Sequence, residues 1–273
     1  MALSRSNIPF QGSKLLTILL LVILFCTSVM LISLGFVTEY TNNIPSQALF
    51  WVGLWLFLAI GFSIKSIQTF EPFYLLSLFA LIVAWRITGI YALSLFNYLL
   101  LFGFLTSLAN GIYCIYHNRK HTKNPLSPSE WQIILFRVYI GFDFIPHFTE
   151  KLFAGNLPHQ IDVNAFVHLG VPDANFFVWF AGLCEFGAAI AIGLGCLLRI
   201  GAIGAALYLL IATYLGHHFQ LGFIWADPGG GWEFSIMWTT LILSFAITGA
   251  HRFSLDSYFE NHWKLPRWLK LLL

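Results

Sequence analysis

The chain has 273 residues, 58% hydrophobic and only 10% charged, with a formal net charge of +2. A soluble domain carries about 25% charged residues, so a water-facing globular domain is excluded, and so small a net charge gives no reason to expect a nucleic-acid partner. Phenylalanine is the extreme entrant: 28 Phe with 10 Trp and 10 Tyr fit a lipid-facing surface edged by aromatic belts.

A spanning helix needs about 20 largely apolar residues. Arg5 and Lys14 precede the first such run, 15–36, which no small-x-small cleavage site follows; it is read as a retained span. The next spans are predicted at 47–64, 72–90 and 94–116, with Lys65 and Arg86 fraying the second and third and a tight turn near Thr88 and Gly89. The polar linker His117–Glu130, "HNRKHTKNPLSPSE", then separates two halves. Spans at 131–153, 174–197, 200–222 and 232–250 complete an all-α polytopic membrane protein with eight transmembrane helices. The expected organisation is an N-terminal four-span region (1–123), a four-helix bundle (124–259) and a cytoplasmic amphipathic tail (260–273). In that tail Trp263, Lys264, Arg267, Trp268 and Lys270 suit an anionic leaflet.

Charge asymmetry orients the spans. Arg5, Lys14, Lys65, Arg119, Lys120, Lys123, Arg199, Arg252, Lys264, Arg267 and Lys270 all fall on one side of the eight-span arrangement. The opposite connections hold Glu39, Asp162, Asp173 and Asp227. Both termini are therefore expected in the cytoplasm, and seven spans would scramble the alternation. The cysteines Cys26, Cys114, Cys184 and Cys196 lie in apolar stretches without a CxxC pair. Cys184 and Cys196 on one helix would stand about 18 Å apart, beyond disulfide reach, so inert thiols are expected.

Ionisable groups inside spans cost roughly 2.5–3.5 kcal/mol each on insertion scales and mark functional candidates. They concentrate in the second half. In the fifth span Asp143, His147 and Glu150, with Lys151 beside them, form a polar stripe near Pro146, which removes a backbone donor and predicts a kink. Glu150 and Lys151 also suit a plain interfacial role, the lysine snorkelling. Glu185 lies half-way along the sixth span, where a carboxylate must be paired, protonated or wetted. Gly182, Gly187, Ala191 and Gly195 around it read as helix-packing positions. His217 and His218 end the seventh span, and Glu233 opens the eighth after "DPGGG", where an anion also suits the helix dipole. These residues are expected to gather into one pocket. No spaced metal-ligand motif is present, so no metal is assigned.

At these residues the sequence resembles the DoxX family of bacterial membrane proteins. The resemblance is carried by "FRVYIGFDFIPHFTEKLFAG", "HLGVPDANFFVWFAGLCEFGAAIAIGLGCLLRIGA", "HFQLGFIW", "GGGWEF" and "GAHRFSLD", over about residues 131–259. It implies a four-helix bundle in the bacterial cytoplasmic membrane and an oxidoreductase role linked to quinone, since one branch is the small subunit of a thiosulfate:quinone oxidoreductase. His147, Lys151, Glu185, His218 and Glu233 match the family's recurring polar positions; Asp143, Glu150 and His217 are additions, as are the four preceding spans. His147, Glu185, His218 and Glu233, matched by the resemblance, are the catalytic candidates; Lys151, also matched, and the added Asp143 and His217 are the candidates for holding a quinone. No haem, flavin or iron–sulfur signature occurs, so electrons would come from a protein partner or from the substrate. Two other classes stand beside this one: a non-catalytic anchor or assembly factor for a partner protein, and a small-molecule carrier.

Overall fold

The computed structural model describes residues 11–35, 44–121, 126–270 and 272–273. The expectations for Arg5, Glu39 and Lys123, and for the side chains of Arg119, Lys120 and Arg267, lie outside the described residues. The described residues are all-α, and six helices among them are long and apolar enough to cross a membrane: Lys14–Ser33, Ser46–Ser66, Phe70–Ile90, Ser94–His117, Ala174–Gly193 and Leu198–Leu215. The protein is a polytopic membrane protein.

The other two expected spans depart from that form for physical reasons. The stretch at 131–153 is divided into α5 (Pro128–Phe142) and α6 (Ile145–Leu152). Pro146 cannot donate to the Phe142 carbonyl, and its ring would clash there in a continuous helix. The chain instead turns at Asp143 and Phe144 and starts a new helix, whose first turn tolerates proline. At 232–250 the regular helix runs only over Glu233–Thr248, 16 residues. That is about 24 Å at 1.5 Å per residue, against roughly 30 Å of hydrocarbon.

The chain splits into two compact units, Met1–Gln132 with Phe153–Gly155, and Ile133–Leu152 with Asn156–Leu273. The first unit holds α1 (Lys14–Gly35), α2 (Ser46–Ser66), α3 (Phe70–Ile90) and α4 (Ser94–His121). α2 packs on α3, and α1 on both α2 and α4. Leu24, Leu56, Leu81, Ile87 and Leu100 are wholly buried there. Between helices, short polar side chains bond one another: Ser63 Oγ and Ser77 Oγ lie 2.6 Å apart, and Asn110 Nδ2 donates to Thr17 Oγ1 at 3.0 Å. In lipid such bonds tie helices together. The turn between α3 and α4 falls at Tyr91–Leu93, two residues later than expected.

The second unit contains α5 from Ile133 onward, α6, α7 (Asn156–His168), α8 (Ala174–Ala188), α9 (Leu198–Leu215), α10 (Glu233–Thr248), α11 (Leu255–His262) and the short α12 (Arg267–Lys270). α6 and α7 both pack on α8, α8 on α9, and α9 on α10. α7 was not anticipated: it occupies what the sequence suggested was a simple outer connection. α8 continues into a π-helical turn at Ala189–Gly193. There the Gly141 backbone approaches so closely that a Cβ at Gly141 would stand 2.0 Å from the Gly193 nitrogen. Cys184 sits in α8 whereas Cys196 lies beyond the π turn, so the two do not share one continuous helix; none of the four cysteines forms a disulfide. Phe176, Phe180, Leu183, Ile203, Leu207 and Ile211 are exposed on α8 and α9, as a lipid-facing surface requires.

Candidate membrane-embedded polar site

Gly182 and Glu185 are three residues apart and share a face of α8. A Cβ at Gly182 would meet the Lys151 Cβ at 2.9 Å and Leu152 Cδ2 at 2.8 Å. The missing side chain is thus what lets α6 settle against α8, and it brings Lys151 level with Glu185. Lys151 Nζ stands 3.1 Å from Glu185 Oε2, with both side chains over nine-tenths buried. Tyr208, reaching across from α9, donates its hydroxyl to Glu185 Oε1 at 2.6 Å. Lys151 Nζ also donates to the His147 carbonyl at 3.2 Å. A carboxylate half-way along an apolar helix is held by one cation and one phenol.

α7 closes this cluster from the side. His159 Nδ1 bonds the Lys151 carbonyl at 2.8 Å, and its Nε2 lies 2.9 Å from Asn175 Oδ1 at the start of α8. Its ring packs on Trp179, with centroids 4.8 Å apart. One turn along α7, Asp162 feels Lys151, Glu150, Glu185 and His159; burial pushes its carboxyl above the ordinary aspartate value, Lys151 opposing. Two side-chain atoms in the cluster are shielded from solvent and lack a hydrogen-bond partner: Asp162 Oδ2 and Glu185 Oε2. The ammonium beside Glu185 Oε2 is at ion-pair distance but off hydrogen-bond alignment.

The other expected site residues are distributed differently. Asp143 is half-buried at the α5–α6 break, near His147, whose ring is exposed and whose contribution to the cluster is its carbonyl. Glu150 is half-buried and adds negative charge beside Asp162. His217 is exposed in a left-handed conformation, φ 59°, where α9 ends. His218 Nδ1 donates to the Gly230 carbonyl at 2.8 Å, and Glu233 Oε2 accepts from the Trp225 amide at 3.1 Å. These bonds organise the turn between α9 and α10 and do not reach Glu185. In that turn a Cβ at Gly231 would meet three carbonyl oxygens within 2.6 Å, which restricts the position to glycine.

Tyr208, His159 and Asp162 escaped the sequence reading. Tyr208 carries no charge, so a search for ionisable intramembrane groups passes over it. His159 and Asp162 sat in a presumed connection, although their spacing of three is that of one helical face.

A second buried polar cluster lies around Arg137. It is wholly buried, and Nη1 donates to the carbonyls of Ile192 and Gly193, both at 2.8 Å, while Nη2 donates to that of Phe253. The π turn supplies two of these acceptors, its disturbed ladder leaving carbonyls to spare, and the bend before α11 supplies the third. Asp256 completes the junction: Oδ1 accepts from the Leu197 amide at 2.7 Å and Oδ2 from the Leu198 amide at 3.0 Å, capping α9. Burial raises the Asp256 carboxyl above its ordinary value, against the pull of those two amides and of Arg137.

A family model described as DoxX matches residues 133–218. That segment is a DoxX domain. No curated protein and no solved structure matches the chain. The DoxX match stops at His218, so the later motifs "GGGWEF" and "GAHRFSLD" lie beyond it, as does Glu233. The whole Lys151–Glu185–Tyr208 cluster, with His159 and Asp162, falls inside the DoxX domain. Among the described residues no group of three or more His, Cys, Asp or Glu side chains is arranged to hold a metal ion.

Proposed function

We propose that the DoxX domain binds a quinone-class ligand beside Lys151, Glu185 and Tyr208 and serves as the membrane subunit of an oxidoreductase whose electron-transferring centre is on a protein partner. The observation that carries this reading is the buried ion pair: Lys151 and Glu185, 3.1 Å apart, with Tyr208 on the same carboxylate. Such a pair breaks even at best against apolar packing, so stability alone gives little reason for it. A quinone interconverts with its hydroquinone by two electrons and two protons. The chain's part is to hold the headgroup and handle protons: Glu185 Oε2 and Asp162 Oδ2 are the shielded oxygens with capacity left to receive one. Tyr208 and Lys151 hold Glu185 in place, and Trp179 with the neighbouring phenylalanines offers an aromatic wall.

The same reading takes α5–α6 and α10 as the fifth and eighth of eight spans, with both termini on the cytoplasmic face of a bacterial inner membrane. The positive-inside pattern supports it. The four-span region 1–123, the bundle 124–259 and the tail 260–273 are its working divisions, the tail lying on the inner leaflet through exposed Trp263 and Trp268.

The test is binding of a short-chain quinone to the full-length protein in lipid nanodiscs, by calorimetry against empty discs. Saturable binding that Glu185→Ala abolishes, with helix content unchanged, is the expected result. Absence of saturable binding, or affinity unaltered in Glu185→Ala, would refute it. In that event the non-catalytic anchor, with the ion pair as helix–helix glue, becomes the better account.

A further inference from the structure

α10 falls short of the bilayer at one end. Its 16 residues make about 24 Å against roughly 30 Å of hydrocarbon, which leaves about 6 Å to be supplied. Near Thr248, Arg199 Nη1 donates to the carbonyls of Ala246 at 2.8 Å and Ile247 at 3.1 Å, and a guanidinium belongs at headgroup level. The missing length therefore lies at the Glu233 end, on the turn that joins α9 to α10.

That turn puts its apolar side chains outside and its polar backbone inside. Phe219, Leu221, Phe223, Ile224 and Trp225 are each 41–52% exposed. Between Arg199 and Arg252 the charged residues are Asp227 and Glu233 alone. The carbonyls of Gly222, Phe223 and Ile224 accept from the amides of Trp232, Glu233 and Gly231 at 3.1, 3.0 and 3.1 Å. Donors at the start of α10, which a helix in water leaves to solvent, are thus taken by the turn itself. Glu233 Oε2 holds the Trp225 amide, and the Gly230 carbonyl accepts from His218. Irregular backbone can approach hydrocarbon only with its polar groups satisfied within the protein. A protein partner would cover the same side chains but would not supply the missing length of α10.

We infer that the α9–α10 turn is a membrane-inserted element: Phe219, Leu221, Phe223, Ile224 and Trp225 reach the phospholipid acyl chains of the leaflet at the Glu233 end of α10. Asp227 and Gly229, at the polar tip, stay at headgroup level. Interfacial elements enter the headgroup–acyl boundary by about 5–10 Å, which covers the shortfall. Trp225 and Trp232 suit that depth, where aromatic rings are favoured. The inference rests on α10 being a span and is independent of the quinone-class reading.

The experiment places the photoreactive residue p-benzoylphenylalanine at Ile224, at Phe223 and, for comparison, at Leu243, which is exposed on α10. Each full-length protein is irradiated in phosphatidylcholine nanodiscs and in native membranes, and its intact mass is measured. Alkaline hydrolysis then separates two kinds of lipid adduct: attachment through an acyl chain leaves a fatty acid on the protein, and attachment through a headgroup does not. Acyl-chain adducts at Ile224 and Phe223, in yield comparable with Leu243, are the expected result. An adduct at Leu243 with none at the two turn positions, or attachment there through headgroups alone, overturns the inference and spares the reading of α10 as a span. Crosslinking of the turn to a second copy of the chain or to another membrane protein, in place of lipid, overturns it as well. If none of the three positions takes up lipid, the inference and the spanning reading of α10 fall together.

Discussion

Replacing Lys151 by Met leaves the Glu185 carboxylate over nine-tenths buried, with Tyr208 as its remaining hydrogen-bond partner. Breaking a buried ion pair from one side costs about 3–5 kcal/mol in water-soluble proteins. Polar helix–helix contacts in membranes are weaker, averaging about 0.6 and reaching about 1.7 kcal/mol, because the unfolded chain in the bilayer finds other partners. The Lys151–Glu185 pair belongs nearer the first figure. An isolated charge has few alternatives in hydrocarbon, and the pair lies where Gly182 brings two helices almost into backbone contact. Lys151→Met and Glu185→Gln should each cost about 3 kcal/mol. The double variant should cost less than either, because glutamine can still accept from Tyr208 and no unpaired charge remains. The assay is reversible unfolding in mixed detergent micelles with increasing dodecyl sulfate, followed by circular dichroism and tryptophan fluorescence. A coupling energy of about 3 kcal/mol is expected. Additive single effects, with coupling under about 0.5 kcal/mol, would show that the two side chains do not act on each other in the bilayer and would remove the basis of the site.

Three further outcomes follow from the same geometry. Gly141→Ala forces a methyl against the Gly193 backbone, which no side-chain rotation relieves; a loss of about 1–3 kcal/mol or failure to accumulate in the membrane is expected, and wild-type melting would contradict the approach. Burial raises the Asp256 carboxyl, so between its unfolded value and the raised folded one the native state keeps a proton that the unfolded state has lost, and stability falls as pH rises through that window. The wild type should therefore lose stability relative to Asp256→Asn with rising pH just above the ordinary aspartate range, and wild-type stability that rises relative to Asp256→Asn over that range would reverse the assignment. For topology, cysteines introduced at Ser127 and His262 should react with an impermeant maleimide only from the cytoplasmic side, and those at Gly170 and Gly229 only from the opposite side; labelling of all four from one side would defeat the eight-span arrangement.

Much of the fold was legible because a spanning helix announces itself by apolar length alone, as in α1 to α4 and α8 and α9. The exceptions are local chemistry. Pro146 foretold a disturbance in the fifth span, but hydropathy could not tell a kink from two helices. At the site, the cost of charge in hydrocarbon singled out Lys151 and Glu185 separately; that they pair was not legible, because their meeting depends on the close approach at Gly182. The expected contacts of His217, His218 and Glu233 with them are absent because His218 and Glu233 are spent on backbone groups of their own turn and His217 is exposed. From the sequence, Arg137 is a cation within the predicted span 131–153 and nothing more. In the folded chain its guanidinium gathers carbonyls from sequence positions 192, 193 and 253, a long-range convergence no local pattern encodes.

The π turn at Ala189–Gly193 has a mechanical meaning for the site. One surplus residue in a helix advances everything beyond it by about 100° around the axis. With the downstream end clamped by Arg137, the bulge sets the rotational phase of the upstream end, where Glu185 projects. Deleting a single alanine there would regularise the helix yet swing the carboxylate away from Lys151 toward the acyl chains. An interruption that looks like a defect in the hydrogen-bond ladder is thus what keeps the acid aligned with its base.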